Sequence, residues 1–116
     1  MIRRGEIREV DLDPVRGVGA NKLRPAVVVS NDAANATAYR LGRGVLTVVP
    51  LTSSVERVYP FQVLLPASAT GLPLASKAQA EQVRSVALER IGDRLGVVPG
   101  EWMDQLDKAL RLHLAL

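Results

Sequence analysis

The chain has 116 residues, 47% of them hydrophobic, and its fifteen Lys and Arg against twelve Asp and Glu give a formal net charge of +3. That length suits one domain with its own core, so a single domain over 1–116 is expected without metal or disulfide staples. The absence of cysteine excludes disulfides, thiolate nucleophiles and cysteine-based zinc sites, and it fits a reducing compartment, the cytoplasm being the default.

Near the N-terminus, Arg3, Arg4, Glu6, Arg8 and Glu9 leave no apolar core for a signal peptide, and no later stretch reaches membrane-spanning length. Residues 4–11, RGEIREVD, alternate imperfectly around Ile7 and Val10, as an edge or half-exposed strand does. The next stretch, LDPVRGVGANKL, is rich in Gly, Pro and Asn and reads as a mobile loop. Pro25 pushes Arg24 toward extended backbone, and Ala26 to Val29 form a run suited to a strand buried on both faces. Asp32 is then positioned to cap a short helix through AANATAYR, which Gly42 punctuates.

Residues 44–51, GVLTVVPL, read as a third strand, with Pro50 marking where regular pairing should stop. FQVLL at 61–65 supplies a fourth. KAQAEQVRSVAL at 77–88 suits a fifth, although its alanines suit a helix equally. From Pro99 onward Met103, Leu106, Leu110 and Leu114 share one helical face, Glu101 and Arg111 complement the dipole, and Trp102 fills a gap against the sheet. Short strands with a terminal helix describe a small, curved antiparallel sheet, for which an SH3-like barrel is one economical form.

Few residues offer chemistry. Twelve of the fifteen cations are arginine, whose planar fork grips phosphate oxygens in pairs, but they are scattered, and a GC-rich genome explains most of the bias. The single histidine, His113, closes the last helix and suits surface packing; GVG at 17–19 is too short for a phosphate loop. Arg24 opens the second strand and Thr52 closes the third. If those strands pair antiparallel, both side chains reach the same rim. From pattern alone the plainer readings are favoured: a surface ion pair for Arg24 and a turn hydroxyl for Thr52.

Residues 3–32, RRGEIREVDLDPVRGVGANKLRPAVVVSND, closely resemble the opening of the MazF/PemK family of toxin endoribonucleases. VPLTSS, YPFQVLL, AEQVRSVALERIG and the closing GVVPGEWMDQLDKALRLHL extend the resemblance, in order, across nearly the whole chain. It implies a mainly β fold with short helices, an SH3-like barrel of the CcdB/Kid/MazF type with a C-terminal α-helix. It also implies a homodimer that cleaves single-stranded RNA at short sequences without metal or cofactor, neutralised by a cognate MazE-like antitoxin. The family's key arginine and threonine fall on Arg24 and Thr52. Arg16, Asn21, Lys22, Ser53, Gln82, Arg84 and Ser85 fall along its RNA groove. Where some relatives have a loop glutamate this chain has Gly19, so the proton-transfer groups stay unassigned. Tyr59 and Phe61 are candidates for base stacking, with core or turn packing preferred for Phe61. The alternative function is a CcdB-like toxin that poisons gyrase by contact and cuts no RNA.

Overall fold

The computed structural model describes residues 1–12 and 23–116; Arg16, Gly19, Asn21 and Lys22 lie outside the described residues. Seven antiparallel strands carry the fold: β1 (Glu6–Asp11), β2 (Leu23–Val28), β3 (Val45–Thr52), β4 (Gln62–Leu65), β5 (Ser76–Gln79), β6 (Arg84–Ala87) and β7 (Ile91–Val97). Their order is β4-β5-β3-β2-β1-β7, with β6 also pairing with β3. Three α-helices accompany them among the described residues: α1 (Asp32–Leu41), α2 (Ala67–Thr70) and α3 (Gly100–Leu114). This is the expected class, mainly β with a C-terminal helix. Among the described residues, no helix is long and apolar enough to cross a membrane.

The β-branched run in β2 is buried on both faces, as its composition requires. Val27 joins Ile7, Val49, Leu51 and Leu65 in a core roofed by Met103, Leu106 and Ala109 of α3. Its neighbours Ala26 and Val28 point the other way, into a second core with Val10, Leu46, Val48 and Ala38 of α1. A strand period of two thus divides one sequence between two cores. Trp102 and Leu110 pack at the margin of the first core, whereas Leu114 at the end of α3 is exposed.

Several local expectations are corrected. The cap of α1 is Asn31, whose side chain accepts from Ala34 N–H at 2.8 Å; the Asp32 carboxylate is taken by Arg4 N–H at 2.7 Å. Gly42 does end α1, at φ 68°, where a side chain would be strained. Pro50 does not stop pairing, since it lies opposite Ala26 inside β3. Pairing of β3 with β6 ends at Val48 and pairing with β5 begins at Leu51, so Pro50 falls between two ladders, where a missing donor is tolerated. Residues 77–88 form neither one strand nor a helix: a 3₁₀ turn at Ala80–Gln82 separates β5 from β6. Strand β7 and helix α2 were not expected. Mostly exposed, β7 depends on Gly96, where any Cβ would collide with the Thr70 carbonyl oxygen of α2.

Candidate active site

Arg24 sits near the start of β2, held in the sheet opposite Val10 of β1. On its other side β2 meets β3 with Val28 opposite Val48, Val27 opposite Val49 and Ala26 opposite Pro50. Carried two residues further, that register sets Arg24 across from Thr52. Directly opposed residues of an antiparallel pair share a face, and Arg24, Thr52 and Ser53 do line one cleft of about 360 Å³. The convergence expected from strand order is therefore present in the fold.

The rest of the cleft wall is largely apolar, formed by Pro25, Leu51, Leu72, Pro73 and Leu74, with Ser76. Leu51 and Leu72 are buried. A wall of this kind lowers the local dielectric and strengthens hydrogen bonds made to an anion in the cleft. Residues 72–74 belong to a connection between α2 and β5 that carries no motif, so nothing in the sequence marked them.

Arg24 is exposed, and among the described residues no carboxylate lies within ion-pair distance of it. Its planar fork can face a phosphate with two N–H donors. Thr52 is half-buried, and its Oγ1 accepts the Ser54 N–H at 3.2 Å. The turn contact expected of a plain threonine is thus made, but as an acceptor, which leaves the hydroxyl proton to donate into the cleft.

The other candidates are placed elsewhere. Gln82, Arg84 and Ser85 are exposed and do not line this cleft; Arg84 and Ser85 pair with Val48 and Thr47, toward the opposite end of β3 from Thr52. Tyr59 is exposed and stacks on Phe61, with ring centroids 5.4 Å apart and planes within 2°. Phe61 thus packs in the turn before β4. His113 is exposed in the last turn of α3.

At the other end of the sheet Glu6 is buried between two guanidiniums, with Arg8 Nη2 at 2.8 Å and Arg94 Nη1 at 3.6 Å. Burial, the largest influence, raises its pKa; hydrogen bonds from Arg3 N–H and Arg8, with the charges of Arg8 and Arg94, outweigh it and leave the carboxyl below its ordinary value.

Comparison with known proteins places these features in a wider set. Residues 3–114 match the family model described as PemK-like, MazF-like toxin of type II toxin-antitoxin system. The chain is 65% identical over 116 residues to Endoribonuclease MazF9 of Mycobacterium tuberculosis, covering all of this chain and 98% of that protein. It is 30% identical over 117 residues to Endoribonuclease EndoA of Bacillus subtilis, covering all of this chain and 97% of the other. Among solved structures it superposes on an endoribonuclease in complex with its cognate antitoxin from a mycobacterial species, with a TM-score of 0.78, 28% identity, and coverage of 100% and 97% of the two chains. MazF of Deinococcus radiodurans gives a TM-score of 0.74 at 25% identity, covering 99% and 97%.

Proposed function

The chain belongs to the PemK-like, MazF-like toxin family of type II toxin-antitoxin systems, and from that premise we propose that Arg24 and Thr52 are the groups with which it cuts RNA. It is an endoribonuclease toxin with an antitoxin partner. The gyrase-poisoning alternative is not favoured, because the relatives it matches along nearly their whole length are named endoribonucleases.

What carries the reading of the site is the placement of a guanidinium and a hydroxyl on one cleft, across adjacent strands. Such a pair suits a reaction in which RNA supplies its own nucleophile. The ribose 2′-oxygen attacks the adjacent phosphorus, the new P–O2′ bond forms, and the P–O5′ bond breaks. The 2′-hydroxyl loses its proton and the departing 5′-oxygen gains one, leaving a 2′,3′-cyclic phosphate and a 5′-hydroxyl. Negative charge grows on the non-bridging oxygens. Two N–H donors from Arg24 and the hydroxyl of Thr52 stabilise it, each donor of this kind being worth about 3 kcal/mol in a preorganised site. No step of this chemistry needs a metal.

The substrate is single-stranded, since a regular A-form duplex holds the 2′-hydroxyl out of line with the leaving oxygen. Ser53, at the cleft, and Gln82, Arg84 and Ser85, beyond it, are assigned to binding the RNA, with Arg16, Asn21 and Lys22 of the first connection. We take 1–116 as one toxin domain that acts in the cytoplasm as a homodimer. The test is to incubate the purified protein with single-stranded RNA in a chelator and label the fragment ends. Free 5′-hydroxyls, with activity lost in a folded Arg24→Ala variant, are the expected result; 5′-phosphates, or undiminished cutting by the variant, would overturn it.

A further inference from the structure

The segment 53–61 joins β3 to β4, yet these strands are not neighbours, because β5 lies between them. Strand β3 leaves beside the Lys77 end of β5 and β4 begins beside its Gln79 end, so the connection must pass over the face of β5. Lys77 stands at that crossing, opposite Thr52 of β3 on one side and Leu64 of β4 on the other. It is only 9% exposed, and its Nζ donates to the Arg57 carbonyl at 2.6 Å while lying 5.9 Å from the centroid of the Tyr59 ring. Among the described residues no carboxylate lies within ion-pair distance of it. Burying a cation is costly unless it is compensated, and here the carbonyl and the aromatic face that compensate it both belong to the crossing segment.

What Lys77 fixes is that segment. Among the described residues, the other hydrogen bonds of 53–61 stay within it and its two ends: Ser54 N–H to Thr52, Arg57 to the Tyr59 hydroxyl, Tyr59 N–H to Gln62 and Gln62 N–H to the Tyr59 carbonyl. Among the described residues, only Lys77 donates a hydrogen bond into it from a strand other than the two it joins. We propose that Lys77 is a positioning residue for RNA binding: its ammonium clamps the segment that carries Ser53 into the cleft, and so sets how substrate is held without entering the chemistry. This rests on the endoribonuclease reading above.

The test compares Lys77→Met, which keeps an unbranched stem but has no donor, with Lys77→Arg, which keeps charge and N–H groups. Because Arg57 is exposed, water satisfies its freed carbonyl, and Lys77→Met is expected to fold. Tryptic cutting of the Arg57–Val58 bond should then speed up roughly ten-fold and KM for a short RNA should rise roughly ten-fold, with kcat within about two-fold of wild type. Lys77→Arg should restore both. An unchanged tryptic rate in Lys77→Met overturns the clamp, and a faster tryptic rate with unchanged KM overturns its role in binding. Should Lys77→Met not fold, Tyr59→Leu, which removes the ring from an exposed position, must itself speed cutting at Arg57 or the clamp is wrong. The tryptic measurement needs no RNA, so it decides the clamp even if the wild-type protein cuts none.

Discussion

Replacing Thr52 by valine removes one oxygen while keeping a β-branched side chain of nearly the same shape at the end of β3. The lost hydroxyl has two jobs in the structure, and they separate by magnitude. As an acceptor it serves Ser54 N–H at 3.2 Å, and Ser54 is exposed, so water replaces the contact and stability should fall by less than about 1 kcal/mol. As a donor into the cleft beside Arg24 its proposed role is to stabilise transition-state charge, so its loss should cost about 3 kcal/mol or roughly a hundred-fold or more in rate. Single-turnover cleavage of a short RNA, with thermal unfolding of the same samples, measures both. Thr52→Ser, which keeps the hydroxyl, should remain within about ten-fold of wild type. If Thr52→Val cuts within about three-fold of wild type while melting normally, the hydroxyl makes no catalytic contact and its placement in the cleft is incidental.

Gly96→Ala should destabilise the fold by about 1–3 kcal/mol, because the new methyl meets the Thr70 carbonyl, a backbone atom that cannot swing aside; an unchanged urea midpoint would show that α2 moves freely against β7. Leu106, fully buried beneath the sheet, should cost about 2–5 kcal/mol on truncation to alanine, read by the same titration. For Glu6 the lowered pKa fixes the sign of a pH effect. Its stabilisation is complete above the unfolded carboxyl value of about 4.3 and is lost as pH falls through the lower folded value. The stability gap between wild type and Glu6→Gln should therefore narrow on acidification through that range, whereas a gap independent of pH would disprove the depressed ionisation.

Strands β2 and β3 and helix α3 were legible because their apolar residues follow one period over a whole element. Val27 and Val28 go to different cores, which is why their run looked continuous in sequence. Where elements are short the pattern fails. The break between β5 and β6 turns on a three-residue 3₁₀ turn at Ala80–Gln82, and β7 is mostly exposed, so neither leaves a periodic trace. Asp32 and Asn31 are equally good caps by composition; the choice follows from Arg4, whose backbone N–H occupies the aspartate. The polar pair of the cleft was readable from strand order, because register carries Arg24 to Thr52. Its apolar wall was not, since Leu72 and Pro73 arrive from a distant connection. Lys77 was invisible for a related reason: among alanines it looks like an outward strand residue, and only the crossing of β5 by 53–61 reveals its burial.

The most direct measurement is on the substrate. Two RNA oligonucleotides should be compared, identical except that one carries 2′-deoxyribose at the nucleotide whose 3′-phosphate is cut. If Arg24 and Thr52 steady a phosphate attacked by its own ribose, the modified strand binds and stays intact while its partner is cleaved. Cleavage of both strands at that bond would contradict it.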